Sequence, residues 1–201
     1  MDTNFADHPF VKFVDQLTTQ PAVQIALHRL RSPNGANINI ILYAIWCGHN
    51  QRGRFLRQDL KKLLPAVHSW HESVSLALQR SANIIDQSNF KPIKKLKIPI
   101  DVELKITNQI EQRLIAETLV KFNSYKRNPA QQLSDACHNI TGYCNFLRFR
   151  IDEQDRKAID ILLLQAAFPN LIAAEIAEAC ENSLTHSTTP PGYAQLKLNE
   201  F

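Results

Sequence analysis

From Ile38 to Cys47 nearly every residue is apolar, in the run Ile-Asn-Ile-Ile-Leu-Tyr-Ala-Ile-Trp-Cys, and Asn37 and Gly48 bracket it. A helix of that composition has no face to give to water, so it must be surrounded by others. It is also too short to cross a bilayer, as is the second long apolar run, Ile161–Phe168. The chain therefore reads as all-α, a compact bundle of about eight helices built around one buried helix.

Amphipathic helices flank this element. Pro9 stands where a first helical residue belongs, and Phe10, Phe13, Val14 and Leu17 follow at i, i+3, i+4 and i+7. Pro21 opens a second helix with Val23, Ala26, Leu27 and Leu30 on one stripe, ended by Ser32-Pro33-Asn34-Gly35. Asn37 is the expected N-cap of the apolar helix. Beyond Gln51-Arg52-Gly53, the spacing predicts one helix lined by Leu56, Leu60, Leu63 and Leu64. Pro65 then begins a longer one to Asp86, facing inward through Val67, Trp70, Val74, Ala77, Leu78 and Ile85.

At 201 residues the chain holds one substantial core or two small ones sharing an interface. The pattern breaks at Ser88-Asn89, Pro92 and the cluster Lys94-Lys95-Leu96-Lys97, which divides the chain into a helical subdomain over 1–87, a basic connection over 88–99, a second helical subdomain over 100–183 and a loose tail over 184–201. In the second subdomain a helix over 101–126 is expected to bury Ile106, Ile110, Leu114, Ile115, Leu119 and Phe122. Another follows Pro129, with a seam of Leu133, Cys137, Ile140, Cys144, Leu147 and Ile151. A last helical region over 152–182 should break at Phe168-Pro169.

Charge is uneven. Residues 1–100 hold 13 Lys/Arg against 6 Asp/Glu, net +7, and residues 101–201 hold 10 against 13, net −3. Such asymmetry orients a protein on an acidic partner, or reflects two differently solvated faces. The amino terminus, Met-Asp-Thr-Asn-Phe-Ala-Asp, lacks the basic start and apolar core of a signal peptide, so the expected location is cytoplasmic. Cys47, Cys137, Cys144 and Cys180 form no Cys-x-x-Cys pair and read as reduced core residues.

Little in the sequence carries chemistry. His68 and His71 lie three apart on a predicted helix beside Trp70 and Glu72, but spacing supplies no third ligand, so no metal site is assigned. Cys137 and His138 are adjacent and diverge by about 100° on a helix, a poor nucleophile and base. No glycine-rich loop precedes a helix, so no nucleotide or other cofactor is expected. Arg52, Arg54, Arg57, Lys61 and Lys62, and the lysines of 91–97, offer phosphate contacts without base-reading side chains beside them. A helical nucleic-acid-binding regulator stands as the alternative to a protein-binding module. For the latter, Tyr143, Phe146 and Phe149 form an aromatic flank beside the seam. It is a docking surface if exposed, and part of the core if the helix is central.

The segments His8-Pro9-Phe10, Gly35-Ala36-Asn37-Ile38-Asn39-Ile40-Ile41-Leu42, Ile45-Trp46 and Trp70-His71 resemble a family of uncharacterised all-helical bacterial proteins. That family shares the Gly-x-x-x-Asn start of an apolar run, its closing Trp and a later Trp, and Glu111 to Glu117 extends the similarity. As a whole, in length and in its extra carboxy-terminal helices, the chain resembles adaptor subunits of the Dot/Icm type IVB secretion system. The resemblance implies a non-enzymatic, cytoplasmic subunit at the inner face of the inner membrane. It would work with the small acidic proteins IcmS and IcmW on the coupling protein DotL to present effector proteins.

Overall fold

The computed structural model describes residues 5–30, 36–120, 126–148 and 151–184, and every regular element among them is helical. Eight helices have nine residues or more: α1 (Pro9–Leu17), α2 (Pro21–Leu30), α3 (Ile38–His49), α4 (Arg57–Trp70), α5 (Leu76–Gln87), α6 (Lys97–Thr118), α7 (Pro129–Phe146) and α10 (Ala173–Leu184). Two shorter ones, α8 (Glu153–Lys157) and α9 (Gln165–Ala167), lie before α10. The tail expected over 184–201 lies, beyond its first residue, outside the described residues.

Starts and stops follow local chemistry. Pro9, Pro21 and Pro129 each occupy a first helical position, where a missing N–H costs nothing. Asn37 caps α3 by accepting from Asn39 N at 2.9 Å, and Asn128 caps α7 in a reciprocal box with Gln131. Proline ends the run before α10, where Phe168 leaves helical geometry.

Helix α3 is buried at every residue from Ile38 to Gly48, as its composition requires. Its most extensive neighbour is α7. The contact is close enough that a Cβ on Gly48 would stand 2.6 Å from both Ala136 N and Gln132 O, so two backbones meet where only glycine fits. One apolar cluster runs from Phe10 to Cys180 and draws on both sides of residues 88–99, so the two halves share a core. Asn139 ties in the loop after α3. Its amide oxygen accepts from Phe55 N at 2.6 Å and its nitrogen donates to Gly53 O at 3.1 Å.

Leu56 is an exposed N-cap and not part of α4, and the seam of α7 ends before Leu147 and Ile151; three further expectations fail for a physical reason. Pro65 does not begin a helix; it lies inside α4. Pro65 and Lys61 are both exposed, so the Lys61 carbonyl that loses its donor faces water. The inner face beyond Trp70 is also displaced. A π-helical turn, His71–Ser75, follows α4 and adds a residue, bringing His71 and Ser75 inward and leaving Ala77 exposed. On α6 the expected apolar stripe is replaced in part. Ile106 is exposed and Ile110 and Leu114 are half-buried, while Thr107, Glu111 and Gln112 are buried beside Ile115. Phe122 lies outside the described residues.

Candidate functional site

Among the described residues Glu111 is the most deeply buried charged group. It stands midway along α6 with no exposed surface, below the amino terminus of α3 and against the π-helical turn. Its Oε1 accepts from Asn37 Nδ2 at 2.7 Å and Asn39 Nδ2 at 3.1 Å. His71 Nδ1 lies 3.1 Å from Oε1 and 3.2 Å from Oε2, and the Ser75 hydroxyl donates to Oε2. A second tier braces the donors. Gln112 Nε2 donates to Asn39 Oδ1 at 3.1 Å, and Asn37 N donates to the Tyr143 hydroxyl at 2.9 Å.

Burial by itself would raise the Glu111 carboxyl. Hydrogen bonds from His71, Ser75 and Asn39, with the charge His71 can carry, outweigh it and hold the group below its ordinary value. The positive end of the α3 dipole adds to the same effect. A carboxylate saturated in this way, with no solvent access, has no lone pair to offer a substrate. Its work is mechanical: it joins α3, α6 and the turn between α4 and α5 at one point. Trp70 Nε1 reinforces the joint by donating to Thr107 O at 3.4 Å.

Beyond this joint the chain leaves the body of the protein as an arm. Of α5 only Ile85 is buried, the 3-10 turn Lys91–Leu96 buries nothing, and α6 buries nothing before Thr107. The principal contacts of α5 are with α6 and the two adjoining turns. Among the described residues, six of the ten exposed large hydrophobic side chains lie here: Ile84, Phe90, Leu96, Ile98, Val102 and Ile106. Two lysines stabilise the arm. Lys94 Nζ donates to Ile85 O at 2.7 Å and Asp86 O at 2.9 Å, capping α5, and Lys97 pairs with Asp86 and lies 3.9 Å from Asp101.

The residues singled out from the sequence are dispersed. Tyr143 is buried and engaged by Asn37, and Phe146 packs half-buried against the core, while Phe149 lies outside the described residues. The flank is thus closed at Tyr143, because α7 is the central partner of α3. His68 is exposed while His71 turns to Glu111, so the two do not converge. Among the described residues no three His, Cys, Asp or Glu side chains are grouped to hold a metal. Cys137 is buried with its sulfur 3.7 Å from that of Cys180, and His138 is exposed. Arg54 Nε pairs with buried Asp135 at 2.7 Å, and the Arg52 guanidinium lies 4.3 Å from the centre of the Trp46 ring. Two arginines of the first basic cluster thus serve the fold.

What sequence reading missed is the joint. Its traces are the two asparagines at the head of the apolar run and Glu111 four residues from both Thr107 and Ile115, a register that places all three on one side of α6. Comparison with protein families, characterised proteins and solved structures finds no match, so function rests on the geometry of this chain.

Proposed function

We propose that this chain is a non-enzymatic adaptor that binds other proteins through the arm formed by α5, the 3-10 turn and α6. The concentration of exposed apolar side chains there carries the reading. Six large hydrophobic residues lie on a hairpin that buries little, whereas the polar cluster around Glu111 is sealed from solvent. Docking of such a surface derives affinity from apolar burial and orientation from charge.

The more specific form of the proposal follows the sequence resemblance. The chain is an LvgA-type adaptor of the Dot/Icm coupling complex, binding IcmS, IcmW and a DotL-like coupling protein and helping recruit effector proteins for translocation. It works in the cytoplasm at the inner membrane, held there by its partners. Among the described residues no helix is long and apolar enough to cross a membrane.

Purification of the tagged protein from its native cytosol, with nuclease and washes at moderate and high salt, tests this reading. Near-stoichiometric IcmS, IcmW and a coupling protein are the expected result. A monomer recovered alone would refute stable adaptor function. Nuclease-sensitive material lost steeply with salt would favour the nucleic-acid alternative.

A further inference from the structure

On α6 the side chains Ile98, Val102 and Ile106 recur at i, i+4 and i+8, so they form one stripe along the arm. Their exposure falls from 76% at the tip through 51% to 39% near the body. The stripe is about 12 Å long at the helical rise, room for two to three turns of a partner helix. Inside the arm, Ile93, Ile100 and Leu104 are half-buried and Ile85 is buried, so the hairpin's own packing is met by other side chains. The stripe is in excess of what holds the arm together.

Charge at the tip defines what fits there. Between Gln87 and Ile100 stand Lys91, Lys94, Lys95 and Lys97 and no acidic residue. Lys94 and Lys97 are committed to α5 and to Asp86, whereas Lys91 and Lys95 are exposed and meet no carboxylate among the described residues. They stand beside the amino terminus of α6, where the helix dipole adds positive potential. Toward the body Asp101, Glu103 and Lys105 are mixed in sign, so the positive field is confined to one end of the stripe.

We infer that the outer stripe of α6 receives an amphipathic helix of another protein, apolar at helical spacing and carrying Asp or Glu at the end that meets Lys91 and Lys95. Helix against helix matches the linear spacing of Ile98, Val102 and Ile106. An acidic terminus satisfies the two exposed lysines and fixes the direction of the incoming helix. Nucleic acid fits less well, because phosphate contacts use the lysines but leave a bare aliphatic stripe against a polyanion. This inference rests on the adaptor reading and specifies the chemistry of its contact.

The test places a photo-crosslinking benzoylphenylalanine at Val102 of the full chain, irradiates it in the native cytosol and maps the attached segment by mass spectrometry. The expected product is one segment of a different protein with excess Asp and Glu and apolar residues at helical spacing. Lys91→Glu with Lys95→Glu should lower its yield about tenfold, while Lys91→Arg with Lys95→Arg should keep it. The inference is overturned by a product with a second copy of this chain, with nucleic acid or with a neutral or basic segment. It is equally overturned by the absence of a product, or by a yield indifferent to the charge swap. Co-purification of coupling-complex subunits is scored in parallel on the same variants. Subunits retained without a Val102 product would defeat this contact and leave the adaptor role standing.

Discussion

The contact of α3 with α7 and the hairpin of α5 with α6 are both pairings of two helices, yet they use apolar residues in opposite ways. In the first, Gly48 allows backbone approach and each residue of α3 from Ile38 to Gly48 is buried. In the second, the helices hold one another through Ile85, lysine capping and an exposed ion pair, and leave Ile98 and Val102 in water. A region that spends its apolar surface internally supports the fold, and one that leaves it outside supports contact with something else. Glu111 stands where the two regimes meet.

The contrast is sharpest at that joint. Glu111→Leu would strand the donors of Asn37, Asn39 and Ser75 in a buried site, and should cost about 4 kcal/mol. Glu111→Gln keeps one acceptor but turns an amide N–H toward other donors, at about 2 kcal/mol. Urea unfolding of both variants checks the order, and equal losses would show that charge alone matters. Gly48→Ala should cost about 3 kcal/mol, because the two nearest obstructing atoms within the α3 and α7 contact are backbone and the third is the rigid Ala136 Cβ. A loss below 1 kcal/mol would mean that the helices separate easily.

Between pH 7.5 and 5, acid should act on the body. Burial depresses His8 and His49 below the ordinary histidine value, with nearby arginines assisting at His8, and partial loss of hydration with Arg54 nearby lowers His138 although it is exposed. The unfolded chain then takes up protons first, so the stability these residues contribute above about pH 6.5 is lost as pH falls through their folded values. Glu111, also depressed, adds a loss below the ordinary glutamate range. Asp160 opposes this. Burial raises it to about 6, with Cys180 and Arg156 offsetting only part, so its penalty at pH 7 is relieved as pH drops through that value. Asp160→Asn should therefore raise stability at pH 7 by about 1 kcal/mol and steepen the acid decline. Thermal melts from pH 7.5 to 5 read both effects, and a flatter profile in the variant would reverse the assignment.

The smallest effect on stability belongs to the arm. Ile98→Asp with Val102→Asp should shift unfolding by no more than about 0.5 kcal/mol while removing partner retention. Unfolding together with retention of purified partners decides it. A large destabilisation would place these residues in the core, and undiminished retention would move the docking surface elsewhere.

Much of the fold was legible because short-range chemistry wrote it. Pro9, Pro21, Asn37 and Pro129 mark their helix starts where structure finds them, and Phe168-Pro169 marks a break. The site was not legible, for the same reason that hydropathy works elsewhere: it assigns a carboxylate to water. Hydropathy places Ile106 inside and gives no reason to bury Glu111, whose donors come from residues 37, 39, 71 and 75, distant in sequence. The turn at His71–Ser75 was equally hidden, since one added residue in a helix leaves no compositional mark.

The sequence by itself determined an all-helical chain with one helix that had to be surrounded, because an unbroken apolar run admits no solvated face. It also determined that Tyr143 and Phe146 belong to α7. Only tertiary structure decided that Tyr143 faces α3 while Ile98 and Val102 face solvent, because exposure depends on which neighbours arrive and not on how apolar a residue is. It alone decided that a carboxylate is fully buried, since burial of charge is tolerated only when enough donors converge from separate elements.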